Sequence, residues 1–197
     1  MKKLKIKSKE THFIGCWNLE NDKLCNEITS FFENNKSLQK PGISGAGLNP
    51  KIKKTIDIRI NPNDLEKQKF EIIKKYINEL YKCFLDYQNQ WPFLKSMITT
   101  INIPAFNIQK YSRGDHFASL HSERTTLNTL HRLFAWMTYL NDVEEGGETI
   151  FNHYGIKIKP EIGKTIIWPA EWTHAHTGEI LKGGTKYVIT GWMHFPH

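Results

Sequence analysis

The chain has 197 residues, enough for one domain with a sizeable core and too few for two ordinary ones. Hydrophobic residues at 39%, charged residues at 24% and aromatics at 12% exclude a disordered or low-complexity chain. The net charge of +7 comes mostly from lysine; only Arg59, Arg113, Arg124 and Arg132 offer the bidentate fork that nucleic-acid readers favour, so the charge reads as a solvated surface and nucleic acid is not the expected partner.

The N-terminal stretch MKKLKIKSKETHF carries charge without a following apolar run, and no run approaches the ~18 apolar residues of a membrane span. Cys16, Cys25 and Cys83 are odd in number and form no C-x-x-C pair, which predicts reduced thiols. A soluble, cytoplasmic protein is the expectation. In chain order, Asn21 or Asp22 caps a first helix with Leu24, Ile28, Phe31 and Phe32 on one face. QKPGISGAGLNP (39–50) is a loop by its Pro, Gly and Ser content. A second helix is expected to start near Asn63 or Asp64, with Phe70, Ile73, Ile77, Leu80 and Phe84 as its apolar stripe, and to end at Trp91-Pro92. From residue 98 the pattern changes to short β-rich clusters: Ile98–Ile108, Leu133–Leu140, Glu148–Phe151, Thr165–Trp168 and Tyr187–Met193. Glycine-containing turns at 112–115, 145–147, 161–163 and 182–184 separate them. The expected architecture is α+β in a single domain. A helical support region (1–97) precedes a jelly-roll core (98–197), with the helices buttressing one sheet.

Chemistry concentrates in the second half. His121-Ser122-Glu123 is an H-x-E pair, and residues i and i+2 of an extended segment point to the same side. Two imidazoles and one carboxylate on one face of a metal form the ligand set of non-haem Fe(II) oxygenases. By residue type alone the third ligand is His174 or His176, in WTHAHTG. Taken singly, H-x-E is a weak signal, more often an exposed loop dipeptide or a local ion pair beside Arg124.

The run from Tyr111 to Trp192 is more specific. It reads Y-x-x-G, H-x-E, R-L-x-x-W-M-x-Y-L-N-D-x-x-x-G-G-E-T-x-F, P-x-x-G, H-x-G, then G-x-K-Y-x-x-x-x-W. This order and spacing resemble the catalytic domain of prolyl 4-hydroxylase-type 2-oxoglutarate/Fe(II) oxygenases over residues 99–193. The resemblance implies a double-stranded β-helix fold, Fe(II) as cofactor, 2-oxoglutarate as cosubstrate and an affinity for ascorbate. It implies hydroxylation of a prolyl residue in a peptide or protein, with release of succinate and CO2. It places the metal ligands at His121, Glu123 and His176. His176 is preferred to His174 because family members carry Lys or Arg about ten positions after the distal histidine, and Lys186 stands there. Lys186 then pairs with the distal carboxylate of 2-oxoglutarate. Tyr111 and Tyr139 match positions whose hydroxyls help hold the cosubstrate; Thr190 and Trp192, at alternate positions on the strand of Lys186, are expected to face the same interior, and Tyr139 and Trp192 fit core positions equally. Arg113, His116 and His174 are expected at the substrate entrance, with a loop over 39–60 shaping it. The remaining histidines, His12, His131, His153, His194 and His197, read as structural or surface residues.

One position departs from the family. The usual motif is H-x-D; Glu123 adds a methylene and reaches roughly 1.5 Å further. Asp115, the nearest alternative carboxylate, belongs to a turn. Two other readings compete: the same chemistry on a nucleobase or free amino acid, or a metal-binding jelly-roll module without catalysis. The first is disfavoured by Lys186, since nucleobase demethylases of this superfamily usually use arginine there. The second has no need for Lys186 together with Tyr111 and Tyr139.

Overall fold

The computed structural model describes residues 1–7, 11–45 and 47–196. The chain opens with strands β1 (Lys2–Lys3) and β2 (Gly15–Asn18), followed by helix α1 (Asp22–Asn34). Asn21 caps this helix, its side chain accepting from the Leu24 amide. Short strands β3 (Lys40–Pro41), β4 (Lys53–Lys54) and β5 (Ile56–Ile60) lead to helix α2 (Glu71–Gln90) and the single-turn-and-a-half helix α3 (Pro92–Met97). The strands β6 (Phe106–Ser112), β7 (His116–His121), β8 (Arg132–Tyr139), β9 (Thr149–Phe151), β10 (Ile156–Ile158), β11 (Lys164–Pro169), β12 (His176–Gly178) and β13 (Thr185–His194) complete the chain.

These strands form two antiparallel sheets. The larger runs β1-β2-β11-β8-β13-β6-β5-β3 and the smaller β10-β9-β12-β7-β4. Side chains alternate across each strand, so every central strand of the large sheet has two buried faces. One face carries Ile58, Ile108, Phe134, Trp136, Ile167 and Ile189, which meet Ile28 and Phe32 of α1 and Ile73, Leu80 and Phe84 of α2. The other face looks into the space between the sheets, where Tyr111, Tyr139, Val188, Trp168 and Phe151 are buried. The result is a jelly roll buttressed by helices on one outer face, as the sequence predicts.

Three expectations need correction. The helix expected to start near Asn63 or Asp64 starts later: Asp64 accepts from the Asn61 amide and closes only a 3-10 turn over Pro62–Glu66. The chain extends again at Lys67 before α2 begins at Glu71. The strand expected from Ile98 begins only at Phe106; Pro104 lacks a donor, and of the preceding residues only Asn102 bridges, to His194. The N-terminal region is not purely helical: it supplies both edges of the large sheet and one edge of the small, and in β5, next to the edge, Asp57 and Arg59 between the isoleucines disguise an alternating strand as loop. Among the described residues no helix is long and apolar enough to cross a membrane.

Candidate metal centre and cosubstrate pocket

Sheet register brings the histidines together. His176, first residue of β12, pairs directly with His121, last residue of β7. Their rings lie 4.4 Å apart, and Glu123 follows on the turn leaving β7. Glu123 Oε1 sits 3.7 Å from His121 Nε2 and 3.4 Å from His176 Nε2. The three ligand atoms lie within 4.8 Å of one another, the one such group among the described residues.

The donor set fits a divalent metal. His121 Nδ1 donates to the Ser119 carbonyl at 2.8 Å and His176 Nδ1 to the His174 carbonyl at 2.9 Å. Those bonds fix both tautomers and leave the Nε2 lone pairs facing the carboxylate. Ligands at right angles, each about 2.1 Å from a metal, stand roughly 3 Å apart, so a slight contraction closes the site. The rings are held on their other sides. Phe117 stacks on His121 at 4.0 Å and 14°, while Trp168 meets His176 edge-on at 5.2 Å. Burial lowers the His121 pKa, which keeps the imidazole neutral and metal-competent. Burial alone would raise the Glu123 carboxyl, but His176 and His121, to the extent that they are protonated, and the Trp192 N–H hold it down at about 2.

Between the sheets, the inward residues of the large sheet form rows. Lys186 pairs with Tyr111; Val188 joins Tyr139 to Gln109; Thr190 joins Met137 to Asn107; Trp192 lies beside Ala135. Lys186 is 3% exposed, its Nζ donating to the Gly147 carbonyl at 2.8 Å and lying 4.1 Å above the Tyr111 ring. Gly147 has φ +74, which favours glycine, and a Cβ there would crowd Leu181 Cδ1 and Lys186 Cδ at 3.2 Å. The Tyr111 hydroxyl donates to Gln109, and the Tyr139 hydroxyl bonds Thr149 at 2.6 Å. Thr190 Oγ1 donates to the Trp136 carbonyl.

Other predicted residues fall elsewhere. Trp192 does not turn its N–H to the pocket centre; its Nε1 donates to Glu123 Oε2 at 2.7 Å. His174 is 2% exposed, with Nε2 on the His12 carbonyl and Nδ1 on Thr173, so its side chain ties down the N-terminal segment and does not line an entrance. His116 lies five positions from His121 on β7, on the opposite face. Arg113 is exposed in the turn after β6. Asp115 binds the Ser112 amide and Lys54, away from the cluster. The segment expected as a loop over 39–60 contains β3, β4 and β5. His197 lies outside the described residues.

Two features escaped the sequence reading. Arg132 sits with its guanidinium carbon 3.8 Å above the Trp192 ring and donates from Nη1 to the Glu123 carbonyl at 2.8 Å. The R-L-x-x-W-M motif contained it without revealing a partner. A buried pair, Lys53 Nζ to Asp57 Oδ2 at 2.7 Å, continues through Gln109 to Tyr111. The i, i+4 spacing of a lysine and an aspartate carries no such signal outside a helix.

A jelly roll that gathers two histidines and a carboxylate on its inner faces, with a buried lysine deeper in the same space, defines a candidate non-haem metal oxygenase. Residues 106–194 match the sequence model of the 2OG-Fe(II) oxygenase superfamily, where 2OG is 2-oxoglutarate. Fe(II) and 2-oxoglutarate are the cofactor and cosubstrate that this family implies. Prolyl 4-hydroxylase subunit alpha-1 of Homo sapiens is 26% identical over 98 residues, covering 46% of this chain and 17% of the human protein. Probable prolyl 4-hydroxylase 3 of Arabidopsis thaliana is 29% identical over 112 residues, 44% of this chain and 38% of its own. The chain thus matches a minor part of these relatives' length. In fold it resembles a viral collagen prolyl hydroxylase of Paramecium Bursaria Chlorella virus-1, solved with 2OG (TM-score 0.67, 20% identity, 94% of this chain and 97% of that one). It also resembles a Trichoplax adhaerens prolyl hydroxylase solved with a hypoxia inducible factor peptide (TM-score 0.73, 15% identity, 94% and 84%).

Proposed function

We propose that the chain is an Fe(II)- and 2-oxoglutarate-dependent dioxygenase that hydroxylates a prolyl residue in a peptide or protein, releasing succinate and CO2. The observation that carries this reading is the convergence of His121, Glu123 and His176 within 4.8 Å, in one interior space with Lys186. In this reading those three side chains hold Fe(II), which when bound supplies the oxygen chemistry. Three protein ligands would leave the metal able to take up cosubstrate and oxygen.

The chain's own residues do the positioning. Lys186 receives the distal carboxylate of 2-oxoglutarate by exchanging its bond to the Gly147 carbonyl for a charge-assisted one. The Tyr111 ring beneath the ammonium and the Tyr139–Thr149 hydroxyl pair shape the closed end. Thr190 stands on β13 between Lys186 and the metal cluster, with oxygen lone pairs to accept from water or ligand. Phe117, Phe151 and Trp168 pack against the imidazoles and hold their orientation. Relatives named as prolyl hydroxylases support the prolyl substrate, and the three buried cysteines fit a reducing cytoplasm.

Purified protein with Fe(II), 2-oxoglutarate and ascorbate should release succinate in step with the gain of one oxygen atom on proline in a proline-rich peptide. Peptide-coupled succinate with the oxygen on another residue would refute the prolyl assignment. No succinate with any peptide, despite tight Mn(II) binding, would favour a metal-binding module instead.

A further inference from the structure

Strand β10 ends the small sheet, and residues 4–7 follow β1 at the edge of the large one, where the Leu4 amide donates to the Cys16 carbonyl at 2.8 Å. A groove of about 440 Å³ lies between these two segments. Both of its walls alternate in the same way. Leu4 and Ile6 pack inward while Lys5 and Lys7 are exposed; Ile156 and Ile158 are buried while Lys157 and Lys159 are exposed. None of these four lysines has a carboxylate partner among the described residues, whereas Lys164, on the same groove, is paired with Glu161 at 2.8 Å.

Register shows which part of the β10 backbone is open. On either side of β9, Asn152 donates to the Ala175 carbonyl and Glu148 accepts from the Glu179 amide, both toward β12. Bonding direction alternates along an antiparallel strand, so Thr149 and Phe151 turn the other way and bond Ile158 and Ile156 of β10. Lys157, between those two, therefore points its N–H and C=O away from the sheet, where no described strand meets them. An open edge pairs readily with a further strand, and lysines on it repel every candidate except one of opposite charge.

We propose that β10 and the lysine groove dock an extended acidic segment of a protein partner, which adds a strand to the small sheet. Its backbone meets Lys157, and its carboxylates meet Lys5, Lys7, Lys157 and Lys159. A nucleic acid suits the groove less: its lining offers no aromatic ring for stacking and no arginine, and a base or phosphate cannot continue a β-ladder. The groove lies behind the closed end of the interior space, where the Tyr139 hydroxyl reaches the Ile158 carbonyl at 3.4 Å, so the docked segment leaves the metal centre free.

Fluorescence anisotropy with a labelled peptide of alternating glutamate and valine tests this on the whole chain. It needs neither metal nor turnover, so its outcome is separate from that of the function proposed above. The exposed double variant Lys157→Glu/Lys159→Glu should weaken binding about tenfold or more, as should raising NaCl from about 50 to about 300 mM. Lys157→Pro should weaken binding more than Lys157→Ala, because proline also removes an N–H that the fold itself does not use. If Lys157→Pro does not fold, a fully N-methylated peptide takes its place; it keeps every carboxylate, cannot donate to an edge, and should not bind wild type. Failure of the parent peptide to bind, equal losses in Lys157→Pro and Lys157→Ala, or undiminished binding of the N-methylated peptide would overturn strand docking. Tighter binding of an oligothymidylate than of the peptide would overturn it in favour of nucleic acid.

Discussion

A lysine enclosed between two sheets loses most of its hydration, and its ammonium becomes easier to deprotonate. Burial pushes Lys186 down to about 8, with the charge of Glu148 pulling the other way. Since the unfolded side chain titrates near ~10.4, the unfolded state binds the extra proton between these values, and this group's contribution to stability rises with pH across that window. Binding behaves oppositely, because 2-oxoglutarate needs the charged form. Its affinity should be flat below pH about 7.5 and fall by up to ~tenfold per unit above about 8, whereas Lys186→Arg should remove that dependence. A flat wild-type profile from pH 7 to 10 in a calorimetric titration would show that Lys186 does not carry the carboxylate. Individual side chains were unevenly legible in the sequence. The spacing to Lys186 separated His176 from His174, and the structure turns the two rings apart, one toward Glu123 and the other toward the His12 carbonyl. Trp192 was assigned to the cosubstrate because alternation gives the face of a strand residue but not its hydrogen-bond partner 69 positions away.

The elements show where local sequence suffices and where it does not. Helix α1 was readable because its cap is local: Asn21 holds Leu24. The start of α2 was not, because the same chemistry at Asn61 and Asp64 closes only one turn. Strand β5 had the period-2 isoleucines of a strand, yet its inward face carries Asp57, whose charge is tolerable only because Lys53 and Thr55 are folded against it. The union of helix and sheet rests on a polar contact inside an apolar layer. Tyr76 of α2 bonds Thr138 of β8 at 2.7 Å, and Thr138 in turn bonds Thr165 of β11. Tyr76→Phe keeps the ring against Trp136 and removes only the hydroxyl. Urea denaturation should show a loss of about 1–2 kcal/mol with an unchanged m-value and unchanged Mn(II) affinity. A simultaneous loss of metal binding would mean that α2 positions the site directly, beyond bracing its sheet.

At the scale of the whole molecule, the two sheets divide the labour. The small sheet supplies the histidines through the β7–β12 pair, and the large sheet supplies Lys186 and the residues that brace Glu123. The jelly roll was foreseeable from short strands punctuated by glycine turns. The contribution of the N-terminal region to both sheets was not, since β3 and β4 are two residues each and gain their identity only from long-range pairing. The central claim is that His176, with His121 and Glu123, holds iron where Lys186 can hold the far end of 2-oxoglutarate. Anaerobic titration of the Fe(II) protein with 2-oxoglutarate tests it directly, because chelation of iron by the 2-oxo acid produces a visible charge-transfer absorption. The band should form in wild type and in His174→Ala, and be absent in His176→Ala. A band that persists in His176→Ala and disappears in His174→Ala would contradict the ligand set.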